Sequence, residues 1–253
     1  MSGRSRTCIS ISWGGTMGRL RVLMTKEWEE LFKIKMVLLS ALFLPLLMGG
    51  IAGFMVWQGQ GLPAEAQAAL FNMALMYFLI LPVMIPVTLA VYSIVGEKEQ
   101  GTLEPLLATP LTDWEIFVGK ALVAALPAVG LTWGVFLLFL VAAHVMLGGI
   151  PAGVLSAPWL LAIFALSPLL ALFGVLVTML VSSRTSDPRA AYQLAGLAVV
   201  PSLVPLIVYS VRLTAVNLFL VILQGGILVV LNAGFLYLAV KLFRREEILT
   251  RWK

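Results

Sequence analysis

GEKEQGTLEPLLATPLTDWEIFVGK, residues Gly96–Lys120, is a dense polar island in an otherwise apolar chain. It holds five of the twelve acidic residues: Glu97, Glu99, Glu104, Asp113 and Glu115. Upstream no charge occurs between Glu65 and Glu97, and downstream none occurs from Ala121 to Ser183. A helix needs about 20 apolar residues to cross a bilayer. Both flanks therefore read as membrane spans, and the island is presented at one membrane face.

Composition agrees with this. The chain is 61% hydrophobic and 11% charged, with a mean hydropathy of +1.03. A soluble domain is about 45–50% apolar and about 25% charged. No soluble segment is long enough to bury a core of its own. One cysteine, Cys8, excludes an intramolecular disulfide framework and a cysteine-based metal site. The opening MSGRSRTCISISWGGT has no signal-peptide core. Residues 1–18 read as a disordered extension, or the first sixteen as sequence ahead of a start at Met17.

Working outward, the charge-free intervals give six spans: Met36–Trp57, Leu70–Val95, Ile116–Leu147, Trp159–Ser182, Ala190–Val211 and Leu213–Val240. The third and fourth are parted at Gly148–Pro158, GGIPAGVLSAP, by its turn formers. Basic residues fall in the amino-terminal arm, the island, the loop SSRTSDPR and the tail; of seventeen, only Arg212 lies on the other side. The positive-inside rule then puts both termini, the island and SSRTSDPR in the cytosol. The net charge of +5 follows from that asymmetry and suits anionic lipid, not nucleic acid.

Ahead of the first span, in LRVLMTKEWEELFKIK, Leu20, Leu23, Met24, Trp28, Leu31 and Phe32 recur at helical spacing. That pattern predicts an amphipathic helix over residues 19–35, lying in the interface with Trp28 at headgroup depth. The alternative is a plain cytosolic extension of the first span. The expected fold is thus an all-α polytopic membrane protein: six transmembrane helices, an amphipathic amino-terminal interfacial helix and both termini cytosolic.

Within the island, Thr102 caps a short helix that tolerates Pro105 in its first turn. Leu103, Leu106 and Leu107 form its apolar face, and Pro110 ends it. Thr112-Asp-Trp-Glu115 is a capping box that starts the third span. Taken alone, this is equally the pattern of a well-capped loop.

The run Glu97-Lys-Glu-x-Gly101-Thr-Leu-Glu104-x-Leu-Leu-x-Thr-Pro110, followed by Gly119-Lys120, resembles the signature loop of type-2 ATP-binding-cassette (ABC) exporter permeases. The resemblance extends over the plan of the chain from Arg19 to the carboxyl terminus. It implies a six-span domain over residues 19–253, with residues 96–115 as a coupling-helix loop docking on a nucleotide-binding subunit. The docking residues it implies are Glu97, Glu99, Gly101, Thr102, Leu103, Glu104, Leu106 and Leu107. Two copies of the ATPase subunit, which would bind ATP and Mg, and a second permease copy or homologue are the implied partners beside the bilayer. A prokaryotic inner (cytoplasmic) membrane is the implied location. The family's re-entrant hairpin between the last two spans would have to be drawn from the apolar stretch itself, with Pro201 and Pro205 marking its start.

No GxxxxGK[ST] or HExxH occurs, so no P-loop or zincin site is expected, and the chain itself catalyses nothing and takes no cofactor. Past the island no formal charge lies inside a span, and His144, at the outer end of the third, reads as an interfacial histidine. Gly49-x-x-x-Gly53 permits close helix approach. Pro45, Pro82, Pro86, Pro127, Pro168, Pro201 and Pro205 lie in spans, as kinks for gating or as local bends. Asn72, Gln193, Asn217, Gln224 and Asn232 face a translocation path or bond neighbouring helices. A path without charge suits an apolar or amphipathic substrate. The rival readings are a haem- or cofactor-export permease for cytochrome or copper-enzyme maturation, and a membrane assembly scaffold that transports nothing.

Overall fold

Hydrocarbon offers no water to backbone amides, so apolar segments of this length satisfy their hydrogen bonds internally as helices. The computed structural model describes residues 18, 23–29, 33, 35–100, 112–150, 155–185, 187–212 and 217–242, and these contain helices and no strand. In chain order the helices are α1 (Lys35–Gln58), α2 (Ala64–Gln100), α3 (Asp113–Leu147), α4 (Ala157–Leu161), a π-helical turn (Ala162–Leu166), α5 (Ser167–Arg184), α6 (Pro188–Arg212) and α7 (Leu218–Leu242). Residues 23–29, ahead of α1, are also helical.

Five stretches of the described residues are long and apolar enough to cross a membrane: Leu38–Gln58, Ala64–Ser93, Trp114–Leu147, Ala157–Arg184 and Leu218–Ala239. Each contains or closely matches a span expected from the sequence. The remaining expected span, Ala190–Val211, falls inside α6, which is a continuous helix but not one of those five. The 37 residues of α2 run about 55 Å at 1.5 Å per residue. That exceeds the hydrocarbon thickness of about 30 Å, and the surplus carries the helix into the polar island.

The helix ends follow local chemistry. Gly148 closes α3 at φ 69°, a left-handed conformation that glycine adopts without strain. Gly61, at φ 79°, turns the chain between α1 and α2. The expected hairpin start is corrected: Pro201 and Pro205 both lie inside α6, which runs through them to Arg212. Proline strains an isolated helix, but in a membrane the broken helix would expose amides to lipid, so the helix persists.

In the centre, α2 packs against α1, α3, α5 and α6. Phe71 and Phe78 of α2 are fully buried and meet Phe136 and Phe139 of α3 at centroid distances of 5.0–5.4 Å. Helix α5 approaches α2 closely at Gly174, where an added Cβ would stand 2.9 Å from the carbonyl oxygen of Val83. Gly49 lets α1 approach α3, since a Cβ there would stand 2.7 Å from Val135, whereas Gly53 faces open space. One half of the expected small-residue pair is therefore used within this chain.

Pro168 follows the π turn and leaves one of its carbonyls without a backbone donor. In π register the donor to the Ile163 carbonyl would be residue 168, which has no N–H. The carbonyl instead accepts from Trp133 Nε1 at 3.2 Å and from the Ser167 hydroxyl, while Trp133 Nε1 also donates to Ser167 Oγ at 2.8 Å. A tryptophan of α3 thus fills the gap that a proline opens in its neighbour.

Candidate functional site

The island is where the sequence points. Gly101, Thr102, Leu103, Glu104, Leu106 and Leu107 lie outside the described residues. Glu97 and Glu99 fall in the last turns of α2, in a part whose side chains are likewise not described. What the structure does describe is how both ends of the island are held.

At its far end the expected capping box is formed. Thr112 Oγ1 accepts from the Glu115 backbone N–H at 3.2 Å, and Glu115 Oε2 accepts from the Thr112 N–H at 2.9 Å. Two amides that a helix start leaves without partners are satisfied reciprocally. This sets the register of α3 and places Lys120 two turns further in.

Lys120 does not reach for solvent or lipid headgroups. Its side chain is 2% exposed and pairs with Glu27, itself 3% exposed, with Nζ 3.0 Å from Oε1. Lys120 Nζ also donates to the carbonyl and hydroxyl of Ser93 at 3.4 and 3.3 Å, and the Ser93 hydroxyl donates to Glu27 Oε2 at 3.1 Å. Ser93 lies on α2 just before the island, Lys120 on α3 at the island's last position, and Glu27 on the amino-terminal helical segment. A buried ion pair holds only if geometry and added hydrogen bonds offset desolvation, and here the serine supplies those bonds. Both legs of the island are therefore tied to one carboxylate.

A second tie lies alongside. Trp28 Nε1 donates to the carbonyl of Val123 at 3.1 Å. That carbonyl would ordinarily accept from residue 127, which is proline. The indole N–H of Trp28 is thus used by α3, and Leu23 on the same segment is buried in the bundle. The missed residues are Glu27 and Ser93. Glu27 falls on the same helical stripe as Leu20, Leu23, Met24, Trp28 and Leu31, and a carboxylate on an apolar stripe is the signal that a buried cation faces it.

The five polar residues offered for a path do not converge. Asn72 Oδ1 accepts from Trp159 Nε1 at 2.9 Å, and Asn232 Nδ2 donates to the Leu169 carbonyl at 3.0 Å. Gln224 Nε2 lies 3.4 Å from the Ser202 carbonyl, and Asn217 Oδ1 accepts from the Phe219 N–H at the start of α7. These four serve helix contacts and a cap. Gln193 differs, because it lines a cleft of about 520 Å³ between α1, α2 and α6, with Ser40, Thr88 and Arg189 among its polar walls. His144 is exposed in the last turn of α3, and no cluster of metal-ligating side chains occurs among the described residues.

Comparison with known proteins places this geometry in context. A family model described as "ABC-2 type transporter" matches residues 18–210. Two curated relatives, from Escherichia coli strain K12 and Escherichia coli O157:H7, each bear the name "Probable multidrug ABC transporter permease YbhR". Each is 56% identical over 36 residues, which is 14% of this chain and 10% of the relative's own length.

Proposed function

The chain belongs to the ABC-2 type transporter family, and we propose that it is the membrane-spanning permease subunit of an ATP-driven exporter. Six spans with both termini in the cytosol would pair with a second copy or a homologue, in a prokaryotic inner membrane, to form the pathway. Two copies of a separate ATPase subunit would dock on residues 96–115 and hold ATP and Mg, while this chain contributes no catalytic group.

The family match over residues 18–210 carries the reading, and the geometry at the island supports it. Helix α2 runs on into the island and α3 starts from it with a rigid cap. Ser93, Lys120 and Glu27 join those two helices to the amino-terminal segment within a few ångströms of one another. A push on a loop between two tethered helices moves both helices, whereas a slack loop would absorb it. That is the mechanical property needed to turn closure of an ATPase pair into rearrangement of the spans.

The scaffold reading has no use for this rigidity, and no observation favours haem or another cofactor as cargo. The 36 residues shared with the multidrug-named permeases leave the substrate to be argued from this chain. Its described spans present apolar and amide side chains, which suits an apolar or amphipathic cargo. The test is reconstitution with a candidate ABC ATPase subunit from the same organism. Stable co-purification with ATP-dependent flux of an amphipathic dye is expected. An ATPase that neither binds nor drives flux would return the chain to the scaffold class.

A further inference from the structure

The π turn between α4 and α5 sits at a choice of register. A π turn pairs carbonyl i with amide i+5, whereas an α-helix pairs it with amide i+4. Pro168 has no amide to give, so either register leaves one carbonyl without a backbone donor. In the π register observed, that carbonyl belongs to Ile163. In a continuous α register it would belong to Phe164. Each register thus carries one orphan, and the surroundings of the turn decide between them. Here the Ile163 carbonyl accepts from Trp133 Nε1 at 3.2 Å and from the Ser167 hydroxyl. The Phe164 ring meets Trp133 and Phe136 at centroid distances of 5.4 and 5.9 Å.

The two sides of the turn are held unequally. On its carboxyl side, α5 is fixed against α2 by the close approach at Gly174, and Leu170, Ala171, Val175 and Thr178 are fully buried. On its amino side, α4 has five residues. An N-cap hydroxyl accepts from the second or third amide of its helix. For Ser156 the second is Pro158, which has none, and the N–H of Trp159 is taken by the Ser156 carbonyl at 3.0 Å. Ser156 Oγ is accordingly buried without a partner. The indole of Trp159 ties α4 to α2, donating to Asn72 Oδ1 at 2.9 Å. Passing from π to α register takes one residue out of the turn. It rotates α4 by about 100° and moves it about 1.5 Å along the axis relative to α5, which parts Trp159 from Asn72.

We propose that residues 157–168 are a two-register switch, in which Trp133 holds the π register and release of the Ile163 carbonyl turns α4 away from Asn72. In transport this turn is the movement that the fourth span contributes to opening and closing the path. That second part rests on the permease reading, whereas the switch itself is tested on the chain alone.

The experiment is fluorine NMR of the full-length, detergent-purified protein with its seven tryptophans labelled as fluorotryptophan. Trp133→Phe and Trp159→Phe assign the two signals of interest. Pro168→Ala restores an amide and completes the α register. It should move both signals to second positions that hold less than about a tenth of the parent's intensity. Ser167→Ala removes one partner of the Ile163 carbonyl and should raise those same second signals about fivefold. Asn72→Leu acts from another helix and should populate the same second position of Trp133. A merely structural role would give a different local change in each variant and no shared position. Parental signals in folded Pro168→Ala overturn the switch, as does a Trp133 signal unmoved in folded Asn72→Leu. If Asn72→Leu is not recovered folded, Pro168→Ala and Ser167→Ala decide. Reconstituted with the ATPase, Pro168→Ala should dock and hydrolyse ATP like the parent but lose most of the dye flux. Parental flux would overturn the part in transport. Failure of the ATPase to dock on the parent chain would count against the permease reading and leave the register result standing.

Discussion

Helices α2 and α7 are nearly equal in apolar character, yet they occupy opposite situations. Their best membrane windows have mean hydropathies of 2.3 and 2.2, but 72% of the α2 window is buried inside the chain against 22% for α7. Phe71 and Phe78 of α2 are fully covered, while Phe219, Val230 and Tyr237 of α7 are each about two-thirds exposed or more. Helix α7 packs along α5 on one face, burying Val221, Leu228 and Ala239, with Asn232 on the Leu169 carbonyl, Gln224 near Ser202, and Phe235 against Phe173 at 5.5 Å. Lipid is as apolar as a protein core, so burial between membrane helices comes from shape and hydrogen bonding and not from hydropathy. The contrast separates a rigid interior, tied to the island at its basic end, from an outer layer that only lipid or another subunit can cover.

The sharpest way to break the contrast is at the interior's ion pair. Lys120→Ala leaves the Glu27 carboxylate buried without its cation, and should destabilise the protein by about 3–5 kcal/mol in a denaturant titration of the detergent-solubilised chain. Restoring neutrality with Lys120→Met and Glu27→Leu together should recover most of that loss. A double variant as unstable as the single would mean the charge is not what matters there.

Phe78→Ala and Phe219→Ala test the same contrast with identical chemistry. Lipid compensates the transfer term, so Phe78→Ala should cost only its cavity and lost contacts, about 2–3 kcal/mol. Phe219→Ala should stay within about 0.5 kcal/mol. Equal losses, measured by thermal unfolding in one detergent, would show that α7 is packed in the protein as tightly as α2.

The island tests whether the rigid interior is read from outside. Leu106→Asp with Glu104→Lys should weaken ATPase pull-down by about 5- to 150-fold, the worth of one hot-spot leucine at 1–3 kcal/mol. Membrane insertion should be unaffected, because the cap at Thr112 and Glu115 is untouched. Docking and stimulated ATP hydrolysis equal to the parent's would make the loop a mere connector.

The smallest effect belongs to the outer layer. Asn232→Leu removes one interhelical hydrogen bond and should cost about 0.6 kcal/mol, a typical membrane value. A loss above about 2 kcal/mol, outside that range, would make Asn232 a keystone and not a tether.

Much of the fold is legible in the sequence. The charge-free intervals located the helices to within a few residues, because a bilayer admits only long, apolar, internally bonded segments. The capping box at Thr112 and Glu115 was readable because its chemistry is local, spanning four residues. Gly148–Pro158 was readable as a break for the same reason. Glu27 was not, because Lys120 lies 93 residues away in sequence and no periodicity names a partner. Of five polar residues that looked alike in sequence, only Gln193 opens into the cleft. Arg189, read simply as loop charge, turned out to line it.

The sequence by itself determined what this protein is made of: apolar helices, a polar island, and an uneven spread of basic charge. Those properties are set by the partition of each segment between lipid and water, which each segment settles alone. Tertiary structure decided which helices are inside, which carbonyls left open by a proline a tryptophan serves, and which charges meet. These depend on shape and distance between segments far apart in the chain, and hydropathy is blind to both.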